Sequence, residues 1–161
     1  MKKKMSLLLT LMLIMGLLSG CGNSSSQSKE ISLGLTAPMT GDYAEYGNAF
    51  KNAIELAIEK ANAEGGINGK KLKLVVGDRK ADPKEAANIA QKFAADSSIQ
   101  AVIGDFTSTA AFAGSPIYQK NGLVQLSPTS SHPDFTKGGN FIFRNISTQA
   151  DEGPIVAKYA V

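Results

Sequence analysis

The residues of this chain best suited to chemistry are hydroxyls gathered just beyond short apolar segments. Thr107-Ser108-Thr109 comes two residues after the apolar run Ala101 to Gly104 and opens an expected helix. In a first helical turn the backbone N–H groups lack partners, and hydroxyls beside them make a ready receptor for an anion. Ser127-Pro128-Thr129-Ser130-Ser131 follows a second apolar run, Leu123 to Leu126, and offers further hydroxyls and carbonyls on the same side. Two readings fit these residues. Either Ser108 caps its helix and the second run is a solvated loop, or both belong to a ligand site; a capping serine can do both.

Bond-breaking chemistry finds little to work with. His132 is the one histidine, and the one cysteine, Cys21, lies at the end of an N-terminal apolar run. Neither a Cys/His pair nor a histidine-based metal site follows from that inventory. Gly65-Gly66-Ile67-Asn68-Gly69-Lys70-Lys71 has the glycines of a phosphate loop without its pattern, because Glu64 stands where the first glycine belongs and Lys71 where Ser or Thr belongs. No G-x-S-x-G nucleophile elbow is present. The sequence calls for no enzyme and no cofactor, and His132 reads as a loop residue.

Cys21 has a different chemistry. Lys2, Lys3 and Lys4 precede an apolar stretch from Met5 to Leu18, the pattern of a secretory signal. A bilayer span takes roughly 20 apolar residues, so the stretch is short for that role. Leu18-Ser19-Gly20-Cys21 resembles the bacterial lipobox, whose cysteine is acylated and becomes the N-terminus after cleavage. The reading is a signal peptide over 1–20, a polar flexible spacer over 21–29 and a folded domain over 30–161, held outside the cytoplasm on the cell membrane by lipid at Cys21. The formal charge of +3 is supplied by the three N-terminal lysines, so the remainder is neutral. A neutral chain carries no electrostatic footprint for nucleic acid.

The folded part alternates strand and helix. Ile31, Leu33 and Leu35 alternate with small polar residues, as in a strand. Tyr46, Phe50, Ala53, Ile54, Ala57, Ile58 and Ala61 recur at helical spacing, predicting one apolar face on a helix over about 44–63. Gly65-Gly66 stops that helix, and Leu72 to Val76 forms a second strand. Asp82-Pro83-Lys84-Glu85 supplies a cap, a first-turn proline and a carboxylate three residues after the cap, predicting a helix to about Ala95. Strands at 101–104, 123–126 and 141–143 follow, with a helix at 109–120 and another from Glu152. Repeated units of this kind predict a doubly wound α/β fold, a parallel sheet with helices on both faces. Such sheets hold ligands beyond the carboxyl ends of their strands.

Several stretches, in order along the chain, resemble the branched-chain amino-acid binding family of ABC transporters, type I periplasmic binding proteins. They are Gly34 to Gly41, Tyr46-Gly47, Asn62 to Gly69, Asp82-Pro83, Val102-Ile103-Gly104, Ser108, Ile117-Tyr118, Ser127-Pro128 and Gly153 to Tyr159. The resemblance implies a two-lobed protein that closes on an amino acid and delivers it to a membrane permease. It implies that Ser108 holds the ligand carboxylate, that Thr129 gives a backbone carbonyl to the ammonium, that Ser131 touches both charged groups, and that Tyr46 walls the side-chain pocket. Thr129 stands where relatives usually have alanine, and Ser131 where they have threonine. Members run to more than twice this length, so 30–161 is expected to be the first lobe of a longer fold and, alone, to bind weakly. An extracellular sensor or receptor domain for amino acids or small amides is the alternative use of the same lobe.

Overall fold

The computed structural model describes residues 30–160; the signal segment, Cys21 and the spacer lie outside the described residues. The elements run β1 (Glu30–Ala37), α1 (Ala44–Ala63), β2 (Lys71–Asp78), α2 (Pro83–Ala95), β3 (Ile99–Ile103), α3 (Ser108–Lys120), β4 (Val124–Ser127), a 3-10 turn (Phe135–Gly138), β5 (Ile142–Arg144) and α4 (Gln149–Tyr159). All neighbouring strands pair in parallel, in the order β2-β1-β3-β4-β5. The expected doubly wound α/β architecture is what forms. Sheet order reverses between β1 and β3, and in open α/β sheets that reversal opens a crevice at the carboxyl ends of the two strands.

One face of the sheet is densely covered. Ile89, Ala90 and Phe93 of α2 and Ala111 and Tyr118 of α3 pack on Val102 of β3 and Ile142 of β5, with Phe135 closing the end. Gly34 lets the Phe93 ring lie directly on β1, since a Cβ at that position would sit 2.8 Å from the ring. Asp82 caps α2 by accepting from the Lys84 N–H at 2.8 Å. The reciprocal bond expected from Glu85 is absent, because its carboxylate instead takes the Asn88 amide at 3.2 Å. A complete capping box forms at α4, between Thr148 and Asp151. The helix expected from Glu152 therefore starts three residues earlier.

The opposite face differs from the sequence expectation. Among the described residues it carries α1, which packs against β1 and β2. Phe50, Ile54, Ile58 and Ala61 are half-buried, but Tyr46, Ala53 and Ala57 of the same stripe are exposed. The register lines up Ile103, Leu126 and Phe143 on this face, and Phe143 is 48% exposed. Helical period identifies which side of α1 is apolar; how much surface faces that side is a matter of topology. α4 likewise leaves Ile155, Val156 and Tyr159 exposed. No helix among the described residues is long and apolar enough to cross a membrane.

Candidate functional site

The carboxyl ends of β1, β2, β3 and β4 carry four loops, and side chains join them to one another. Asp78, the last residue of β2, accepts from the Met39 N–H at 2.9 Å, the Thr40 hydroxyl at 2.6 Å and the Lys80 N–H at 2.9 Å. It thereby fixes the loop between β1 and α1. Burial pushes the Asp78 carboxyl up, but the Thr40 hydroxyl and the Lys80 and Met39 N–H groups outweigh it and hold it below the usual carboxylate range. A lowered pKa stabilises the fold above the unfolded carboxylate value near 3.8 and loses that contribution as pH falls through the folded value. The urea midpoint of wild type is therefore expected to exceed that of Asp78→Asn near neutral pH, with the gap closing below about pH 4. A gap independent of pH would refute this account.

α1 begins immediately after that loop. Its first turn presses so closely on the chain that a Cβ at Gly47 would collide with the Pro38 carbonyl, so glycine is required there. This docking brings Tyr46 to the switch point, where its ring stacks on Phe106 with centroids 4.4 Å apart and an interplanar angle of 17°. Tyr43 and Phe50 lean on the same Phe106 ring at 5.6 and 6.2 Å. Tyr43 and Tyr46 remain 46% and 43% exposed. The result is an aromatic wall open to solvent beside the β3–α3 loop.

Ser108 lies in that loop's continuation, as the first residue of α3. The structure separates the two roles its sequence position allowed, because Thr107 is the N-cap, its hydroxyl accepting from the Ala110 N–H at 3.3 Å. The Ser108 hydroxyl is turned toward the next loop and accepts from the His132 N–H at 3.4 Å. Beside it the first-turn N–H groups carry the positive end of the helix dipole.

The loop after β4 is bound to the same segment. Ser127 Oγ donates to the Asp105 carbonyl at 3.0 Å, and Thr129 Oγ1 donates to the Phe106 carbonyl at 2.8 Å. Ser130, fully buried, directs its N–H to Ser127 Oγ at 3.0 Å. Ser131 is half-buried, and its carbonyl accepts from the first N–H of α4, that of Gln149, at 3.0 Å. Ser108, Thr129, Ser131 and Tyr46 thus all converge on Phe106 to Ser108 or on the loop stitched to it. His132 is a loop residue: its carbonyl accepts from Arg144 at 2.6 Å, its Nδ1 accepts from the Asp134 N–H at 3.2 Å, and its ring meets the edge of Phe112. Among the described residues no cluster of three or more His, Cys, Asp or Glu could hold a metal ion.

Four residues of this rim escaped the sequence reading. Tyr43 and Phe106 complete the aromatic wall, and only Phe106's place two residues before Ser108 hinted at it. Arg79 and Asp105 form a buried ion pair beneath the loop, each 1% exposed. Asp105 lies two residues past β3, where a charged residue in an otherwise apolar context is a signal worth reading. Burial pushes its carboxyl up to about 6 against the pull of Arg79 and the Phe106 N–H.

Residues 30–161 match the family model for periplasmic binding proteins. The Leu/Ile/Val-binding protein homolog 2 of Brucella abortus is 37% identical over 131 residues, which cover 81% of this chain and 35% of that protein. An ABC transporter substrate-binding protein of Desulfitobacterium hafniense, solved in complex with Leu, is 38% identical with a TM-score of 0.73, covering 81% of this chain and 38% of its own. The branched-chain amino acid transporter substrate binding protein of Streptococcus pneumoniae, solved with isoleucine, is 32% identical with a TM-score of 0.70, over 74% of this chain and 34% of its own. The chain spans about a third of the length of the curated relatives it matches.

Proposed function

This chain belongs to the periplasmic binding protein family, and on that premise we propose that it is the extracytoplasmic solute-binding component of an ABC importer for amino acids, branched-chain ones foremost. One observation carries the reading. Ser108 opens a helix whose cap is a different residue, at the topological switch point, facing a second loop of hydroxyls and carbonyls. The ligand carboxylate takes the Ser108 hydroxyl and the adjoining first-turn N–H groups; the ammonium takes the Thr129 carbonyl, with the Ser131 hydroxyl within reach of both. Tyr46 and Phe106 offer apolar surface to an aliphatic side chain. Neutral donors suffice for a zwitterion because hydrogen bonds to charged groups are about twice as strong as neutral ones, and more so once water is excluded. Among the relatives that share this fold, the Brucella abortus protein is named for binding leucine, isoleucine and valine, and the Desulfitobacterium hafniense and Streptococcus pneumoniae proteins were solved with leucine and isoleucine. In this reading the domain over 30–161 is the first of two lobes, lipid at Cys21 keeps the protein at the membrane, and the partner there is the permease of the transporter.

The rim alone offers one side of a closing cleft, and a ligand held on one side keeps much of its hydration. Leucine titrated into the isotope-labelled chain is therefore expected to shift the amides of Phe106–Ala110 and Thr129–His132 with an affinity on the order of millimolar. Glutamate should shift them less, since the aromatic wall has no partner for a second carboxylate. Shifts elsewhere in the fold, or none in these two loops, would overturn the assignment.

A further inference from the structure

The buried ion pair beneath the site is not needed to touch a ligand, and its surroundings show what it does instead. Arg79 leaves the end of β2, where its own N–H is bonded to the Ala37 carbonyl of β1 at 3.2 Å. Its side chain passes β1 to reach β3, and Nε donates to Asp105 Oδ1. That same oxygen accepts the Phe106 N–H at 2.6 Å. The Asp105 and Phe106 carbonyls are held from the other side by Ser127 and Thr129. The two peptides that lead into Thr107 and Ser108 are therefore clamped from β2 and from β4 at once. Arg79 Nη2 and Asp105 Oδ2 have no hydrogen-bond partner among the described residues. A buried pair left partly unsatisfied is a poor source of stability, and well-packed apolar residues often replace such pairs at no loss.

We propose that Arg79 and Asp105 are positioning residues: their ion pair sets the β3–α3 loop so that the Ser108 hydroxyl and the first-turn N–H groups of α3 meet the ligand. The inference rests on the reading of Ser108 as the carboxylate-binding residue. Its physical basis is preorganisation, since a receptor whose groups are already aimed loses less freedom on binding. The pair acts through the backbone of Phe106; nearby, burial and then the Asp105 carboxylate push the Tyr118 hydroxyl, bonded to Thr36 at 3.3 Å, upward, so Tyr118 stays neutral.

The test uses the full chain and two changes. Arg79→Lys keeps the buried charge and loses the planar guanidinium fork; Arg79→Met with Asp105→Leu replaces the pair by apolar residues of similar bulk. Three quantities are measured: the urea midpoint, the leucine-induced shift of the Ser108 amide, and amide hydrogen exchange. Both variants are expected to give about a tenfold shallower shift per unit leucine. They should also show faster exchange confined to Phe106–Thr109, while the double variant keeps a midpoint near that of wild type. Wild-type leucine response and loop exchange in either variant would overturn the proposal and leave the pair a structural feature only. A uniform rise of exchange through α2 and α3 would count against it in the same way. A wild-type chain that gives no leucine shift at Ser108 refutes the functional reading by itself, and the exchange of the loop then decides whether the pair holds it.

Discussion

Ser108→Ala, in the chain joined to the second lobe of the leucine-bound Desulfitobacterium hafniense relative, is expected to weaken leucine binding about ten- to hundredfold in calorimetry. The figure follows from the loss of one hydrogen bond to a charged group, roughly 1.5–3 kcal/mol. The backbone N–H groups of the first turn remain, so binding should fall without vanishing. Because Thr107 supplies the helix cap, the change should leave the thermal midpoint nearly where it was. Had Ser108 been the cap, alanine would cost about 1 kcal/mol of stability and little affinity. The two outcomes are opposite in both measurements, and an unchanged dissociation constant would remove the hydroxyl from the site.

Cys21→Ala is expected to abolish incorporation of radioactive palmitate in growing bacteria and to release the protein from the membrane fraction. Lys2 to Lys4, the apolar stretch and Leu18-Ser19-Gly20 define the segment that the processing enzymes would read. Each buried methylene adds about 0.8 kcal/mol of membrane affinity, so two acyl chains hold a protein at a bilayer almost permanently. The spacer from Gly22 to Lys29 has no apolar residue and would contribute nothing to attachment once the lipid is gone. Equal labelling of the two proteins would show that Cys21 is not the acceptor.

The order of elements was legible in the sequence because local periods report local structure. The apolar spacing from Tyr46 to Ala61 belongs to a helix observed at Ala44–Ala63, and Asp82-Pro83 marks the start of α2 at the residue where it begins. Strand ends shifted by one or two residues, as in β2, expected over 72–76 and observed at Lys71–Asp78. A strand stops where its neighbour's hydrogen bonds stop, and the chain does not carry its neighbour beside it in sequence. Candidate hydroxyls were legible as well, since loops after strands in a doubly wound sheet collect at one edge.

What required the tertiary structure was every relation between those loops. Whether Ser108 caps or receives depends on which residue turns its hydroxyl into the helix, and Thr107 and Ser108 are chemically alike for that purpose. Arg79 and Asp105 lie 26 residues apart, just past the ends of two strands separated by β1, and nothing local distinguishes that arginine from a solvated one. Tyr46 meets Phe106 because glycine at position 47 lets α1 dock against Pro38, a contact between segments with no shared period. Composition and spacing act through neighbours a few residues away and so determined the helices, the strands and the edge of the sheet where the candidate hydroxyls collect. Sheet order, the depth of the ion pair and the aim of each hydroxyl arise from packing between distant segments, and only the folded chain decides them.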